Sequence, residues 1–241
     1  MALRIGFDLD GVLANMEEAI VREAVTLFGP TLPRSPDEKP SASMTDLVPE
    51  EVADDAPLQN EMQLTTRQRR QLWRHLRGIN NFWESLDEIE PGSVARLARM
   101  AENRRWEIIF LTRRPAAAGR TPQVQSQRWL EKKGFPLPSV FVVTASRGLI
   151  ATALTLDIVV DDTPENCVDV ASDSKARTIA IFRNHEKLPP SILNQMGIHI
   201  VNSTAQCLDL LVEIDASLAQ PQPGRIERVM RTLGLKESTS A

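Results

Sequence analysis

The residues best suited to chemistry come early. The sequence IGFDLDGV places Asp8 and Asp10 two apart at the end of an apolar run, with Gly11 directly after them. If residues 3–9 form a strand, alternation turns Asp8 and Asp10 to one side and Leu9 to the other, and Gly11 lets the backbone turn sharply. Two carboxylates held that close repel each other unless a cation or a shared proton lies between them. A calcium loop of the EF-hand kind needs glycine at its sixth position, where this chain has Leu13, so that reading fails. A second acidic pair, Asp161 and Asp162, ends the apolar run in LDIVVDDTPEN. Acids at the tip of a buried strand are costly without a cation, although they also suit the positive end of a following helix.

The elements that must position these acids follow from the pattern of apolar runs. Residues 3–9, 106–112, 140–143, 158–160, 178–182 and 198–201 are short, apolar and rich in β-branched side chains. Most are continuous rather than alternating, the pattern of strands covered on both faces. Helical segments separate them. One starts at Ser93 with Val94, Leu97, Ala98 and Ala101 on one side, and another covers about 122–133 before Gly134. A third opens with Thr163 as N-cap and Pro164 in its first turn, and a fourth follows Ser203. Strands alternating with helices predict an α/β fold with a doubly wound parallel sheet, in which ligands bind at the carboxyl ends of the strands.

Between the first and second strands the rhythm breaks. Some ninety residues carry no convincing strand; they contain a helix at about 15–28, a Pro/Ser/Asp-rich loop at about 30–57 and a basic amphipathic helix at about 65–77. The predicted organisation is therefore a core of 1–14 and 88–217, a helical insertion of 15–87 above the carboxyl edge of the sheet, and a C-terminal linker, short helix and tail at 218–241. The basic helix TTRQRRQLWRHLRG reads as an insertion face or interface, and no partner is assigned from it.

Composition limits the classes of function. The 241 residues are 42% hydrophobic and 25% charged, the balance of a soluble folded protein. A net charge of -4 leaves no global basic field for a nucleic-acid polymer, and with no tyrosine the chain lacks the aromatic–basic interleaving of single-strand binders. No apolar run approaches a membrane span. Cys167 and Cys207 match no metal-ligand spacing and read as reduced and buried, so a cytoplasmic location is expected.

The run FDLDGVLAN resembles the first motif of the haloacid dehalogenase superfamily, a strand ending in Asp-x-Asp. That resemblance implies that Asp8 is the nucleophile toward phosphorus and Asp10 the general acid/base. The second motif is a strand ending in Ser or Thr that holds phosphoryl oxygens, and EIIFLTRRP supplies Thr112. The fourth is an apolar strand ending in paired acids, here Asp161 and Asp162. By resemblance Asp8, the backbone carbonyl of Asp10 and Asp161 bind Mg²⁺, with Asp162 acting through water or as support. The third motif places a Lys, less often an Arg, before that strand; Arg147 fills the position.

The insertion corresponds to the helical cap of that superfamily. Its end, NNFWESLDEIEPG, is similar to a segment of 5'(3')-deoxyribonucleotidase-like proteins, which implies Phe82 and Trp83 as a substrate wall; equally, both could anchor the cap to the core. Arg113, Arg114 and Arg120 could meet phosphate or ribose oxygens, Arg113 foremost, or lie in a solvated loop. The function so implied is Mg²⁺-dependent phosphomonoester hydrolysis through an aspartyl-phosphate, with nucleoside monophosphates favoured. A sugar or other metabolite phosphatase, and a phosphate- or nucleotide-binding protein with little turnover, are the alternatives. The expected partner is a small phosphorylated substrate, with no nucleic-acid polymer and no membrane, and a homodimer is left open.

Overall fold

The computed structural model describes residues 2–29, 64–183 and 189–219. Six strands form one sheet in which every pair is parallel: β1 (Arg4–Asp8), β2 (Glu107–Thr112), β3 (Ser139–Val142), β4 (Ile158–Asp161), β5 (Arg177–Ile181) and β6 (His199–Val201), in the order β3-β2-β1-β4-β5-β6. Strand order reverses at β1, the first strand in sequence and the third in space. Strands run outward from it in both directions, and such a reversal opens a crevice at the strands' carboxyl ends.

The helices among the described residues are α1 (Met16–Phe28), α2 (Thr66–Gly78), α3 (Ser93–Arg104), α4 (Pro122–Lys132), α5 (Arg147–Ala153), α6 (Pro164–Asp173), α7 (Ser191–Gln195) and α8 (Thr204–Ala219), with a 3-10 turn at Phe82–Glu84. Local chemistry sets several of their starts. Asn15 accepts from the Glu18 N–H at the head of α1, and Thr65 and Gln68 form a reciprocal capping box at the head of α2. Thr121 accepts from the Val124 N–H ahead of Pro122 in α4.

The continuous apolar runs are explained by burial on two faces. Ile5, Phe7, Phe110 and Val160 pack into the large cluster with Trp129, Leu130, Leu208 and Leu211. Their strand neighbours Ile109, Leu111 and Val159 pack into a second cluster with Ala151, Leu156 and Val170. Each buried side chain of this size contributes roughly 1.5–3 kcal/mol relative to an exposed one.

Two expectations are corrected. Thr163 precedes α6 as predicted, but its side chain makes no capping bond; its N–H donates instead to Asp161 Oδ1 at 2.9 Å. The stretch before β4, to which the sequence pattern assigned no element, contains α5, a helix whose first residue is Arg147. Between β1 and β2 the described residues form no strand, only helices, the 3-10 turn and isolated bridges such as Ala14 with Glu88. The loop expected at 30–57 and most of the tail at 218–241 lie outside the described residues.

Candidate active site

The acids meet where the sheet reverses. β1 and β4 are paired with Phe7 opposite Val160, so one further step sets Asp8 beside Asp161 at the two strand tips. On the other flank Asp8 is opposite Leu111, and Thr112 follows it. Asp8, Asp161 and Thr112 are all buried.

Arg147 links the first two. Its Nη2 donates to Asp8 Oδ1 at 2.6 Å, and its Nε lies 3.6 Å from Asp161 Oδ2. The side chain reaches this point because α5 is pressed onto α6. Ser146 caps α5 and donates to Asp169 Oδ2 at 2.6 Å, and a Cβ on Gly148 would stand 2.4 Å from the Asp169 carbonyl oxygen. Nη1 of the same guanidinium is buried with no hydrogen-bond partner. Orphaned buried donors are rare, and here the donor belongs to a cation beside the candidate nucleophile.

Asp10 is held differently. Arg114 lays a fork on it, Nη2 to Oδ1 at 2.7 Å and Nε to Oδ2 at 2.8 Å, and the Thr112 hydroxyl donates to Oδ2 at 3.0 Å. The turn that carries Asp10 is tight. Gly11 has φ +80°, and a Cβ there would lie 1.9 Å from Asp162 Oδ2. Arg183 fastens the same loop by donating to the Gly11 and Val12 carbonyls, to Glu90 and to Thr204.

The electrostatics are those of a site short of positive charge. Burial, with Asp161 next to it, pushes Asp8 well above the usual carboxylate range, against the pull of Arg147. Burial also raises Asp161, opposed by Arg147, the Thr163 N–H and Asn166. Burial and the adjacent Asp161 push Asp162 up to about 8. Four carboxylates face two directly bound guanidinium groups. Hard oxygen donors with an excess of negative charge suit Mg²⁺. Among the described residues no three His, Cys, Asp or Glu side chains form a ready-made cage. A set of two carboxylates, one carbonyl and water does not require one, so the donors fit the ion.

The residues expected to contact substrate have protein partners of their own. Phe82 and Trp83 are 2% and 1% exposed and pack edge to face at 4.9 Å, so neither stands as an open wall. Trp83 Nε1 donates to the Pro115 carbonyl and its backbone N–H to Gln125, which sews the 3-10 turn onto α4. Arg113 donates to the Thr144 carbonyl at 3.0 Å, beyond the end of β3. Arg120 faces Glu84.

Comparison with known proteins bears on the architecture. No family model matches the chain, and no curated protein matches it. Solved structures do. A phosphonoacetaldehyde hydrolase-like protein from Oleispira antarctica aligns over 92% of this chain and 95% of its own, with TM-score 0.53 and 12% identity. A haloacid dehalogenase family hydrolase from Deinococcus radiodurans, with bound phosphate and sodium, aligns over 88% and 96%, with TM-score 0.50 and 14% identity. A hydrolase from Pseudomonas syringae aligns over 89% and 99%, with TM-score 0.50 and 14% identity. The fold is that of the haloacid dehalogenase hydrolases.

Within that fold, sequence reasoning missed three supports of the site. Arg114 was grouped with its neighbours, although the alternation that puts Asp8 and Asp10 on one side also puts Thr112 and Arg114 on one side. Asn166, whose Nδ2 lies 3.1 and 3.2 Å from the two Asp161 oxygens, stands in the first turn of α6, where a carboxylate at the helix head finds donors. Arg183 lies just beyond β5, and no local signal ties it to the Gly11 loop.

Proposed function

We propose that this protein is a Mg²⁺-dependent phosphomonoesterase that acts through an aspartyl-phosphate on Asp8. The observation that carries this reading is the buried Asp8 at the reversal point of the sheet, paired to Arg147, whose free Nη1 faces no acceptor.

Asp8 would attack phosphorus, forming the anhydride bond as the bond to the leaving oxygen breaks, and Asp10 would give that oxygen its proton. Water would then attack the phosphoryl group, Asp10 taking its proton, and the anhydride would break to release phosphate and restore Asp8. Arg147 and, once turned from Asp10, the Thr112 hydroxyl would hold phosphoryl oxygens through both steps. Asp8, Asp161 and the Asp10 carbonyl would hold Mg²⁺, with Asp162 in support; when bound, the ion supplies charge neutralisation and orientation. Neutralisation is what the crowded carboxylates call for, because a nucleophile raised by burial must be ionised to attack.

Residues 15–87 would serve as the cap that excludes water and selects the leaving group. A small soluble ester fits best, with nucleoside monophosphates first in the panel on the strength of the NNFWESLDEIEPG segment. Phe82 and Trp83 are buried, so the likeness of the segment, and not an open aromatic wall, is what keeps nucleotides in the panel. A sugar or other metabolite ester is the same chemistry with a different leaving group. The test is hydrolysis of p-nitrophenyl phosphate with Mg²⁺ by wild type, Asp8→Asn and Asp10→Asn. Loss of activity in Asp8→Asn, with trapping of phosphate on wild type only, supports the reading; equal rates in all three proteins reject it.

A further inference from the structure

One cation near the site has no task in the reaction just described. Arg114 carries a full charge on a side chain with 0% exposure, an arrangement that is costly unless every donor is used. Here each of its three nitrogens has a partner. Nε and Nη2 grip both oxygens of Asp10, and Nη1 donates to Ser126 Oγ at 2.9 Å on α4. The guanidinium carbon stands 5.2 Å from the centre of the Trp83 ring. Trp83 is itself pinned by bonds to Pro115 and Gln125, and Ser126 donates to the Pro122 carbonyl. The carboxyl of Asp10 is thus fixed through three separate elements, none of which is the strand that carries it.

We propose that Arg114 is a positioning residue: its fork, braced by Ser126 and Trp83, aims Asp10 at the leaving-group oxygen of an ester whose phosphorus faces Asp8. This rests on the aspartyl-phosphate reading above and adds to it the group that orients the acid. A fork bound to both oxygens fixes the plane of the carboxyl, which a lone hydroxyl such as that of Thr112 cannot do. As the bond from phosphorus to the leaving oxygen breaks, its electron pair passes to that oxygen, which takes the proton from Asp10; the carboxylate left behind remains in the same fork, oriented to take a proton from water in the second step. Orientation of this kind matters most for poor leaving groups, which need the proton early. Arg114 is therefore a determinant of which esters are turned over.

The decisive measurement is kcat/KM across aryl phosphates whose leaving groups fall in acidity from p-nitrophenol to phenol, since this constant reports steps up to cleavage of the ester. Wild type is expected to show shallow dependence on the leaving group and Asp10→Asn a steep one. Arg114→Met is expected to be steep too, with phenyl phosphate falling at least about tenfold further than p-nitrophenyl phosphate. Combining Arg114→Met with Asp10→Asn is expected to add no further steepening. Arg114→Lys, which keeps charge and loses the fork, is expected to behave like Arg114→Met, and Ser126→Ala, which removes one brace, to steepen the series less. Added guanidinium is expected to flatten the series again for Arg114→Ala. Arginine variants that slow all esters equally would overturn the inference while leaving the aspartyl-phosphate intact. A shallow series in Asp10→Asn would remove Asp10 as the acid, and the inference with it.

Discussion

Asp8 and Asp10 sit two residues apart at one strand tip, and each faces a buried arginine, yet the two pairs are built in contrasting ways. Arg147 spreads over Asp8 and Asp161 with one short contact, one longer contact and one nitrogen without a partner. Arg114 has every nitrogen engaged, two on Asp10 and one on Ser126, with its face toward Trp83. An unmet donor in a low-dielectric site has affinity in reserve for an anion, whereas an engaged one has only rigidity to offer. The difference separates the place where a phosphoryl group would bind from the place that would orient a proton.

The largest expected effect falls on the unsaturated pair. Arg147→Met is expected to lower turnover of p-nitrophenyl phosphate by about 100- to 1,000-fold, as loss of one electrostatic contact to a transition state does, with Arg147→Lys recovering part. Steady-state kinetics check this, and a fall below tenfold would place phosphoryl binding elsewhere. At the fully engaged pair the effect is on folding. Arg114→Met strips Asp10 of its buried partner and is expected to lower stability by about 3 kcal/mol in urea unfolding. Little change would mean that Asp10 is not held as the structure has it.

Smaller effects sharpen the contrast from the side of the carboxylates. Mg²⁺ at tenfold its dissociation constant is expected to stabilise the folded protein by about 1.4 kcal/mol, a shift of a few degrees in unfolding temperature. At one fixed Mg²⁺ concentration the shift is expected to be greater at pH 8 than at pH 5.5, because protons compete for the same oxygens, and to vanish in Asp161→Asn. The same shift in Asp161→Asn would exclude this donor set.

The smallest effect is expected at Asp162, which retains some solvent contact. Its folded carboxyl holds a proton up to about 8, against 3.8 ordinarily. The folded state therefore binds the proton more tightly than the unfolded chain. This group's contribution to stability is complete below about pH 4 and is lost as pH rises through about 8. Without metal, Asp162→Asn is expected to unfold at a higher temperature than wild type near pH 8 and to match it near pH 4.

Much of this was legible because the pattern is local. The runs ending in Asp8, Thr112 and Asp161 are apolar on both faces, and a parallel sheet follows from six such runs separated by helices. Asn15, Thr65 and Thr121 announce helix starts through their own side chains. The helix beginning at Arg147 is short and lacks a strong period, so its pattern was lost between two strands. Phe82 and Trp83 show the other failure: aromatic type is the same in a wall and in a packed seam, and only burial tells them apart.

By itself, then, the sequence determined the strands, their parallel arrangement and the presence of acids at two strand tips, because alternation and apolar period act over a few residues. Family resemblance pointed Arg147 at Asp8, whereas tertiary structure alone decided that Arg114 serves Asp10. Arg147 comes to Asp8 from 139 residues away, and Arg114 to Asp10 from 104 residues away. Charge and hydrogen bonding select partners by distance in space, which sheet order and helix packing set and no local spacing encodes.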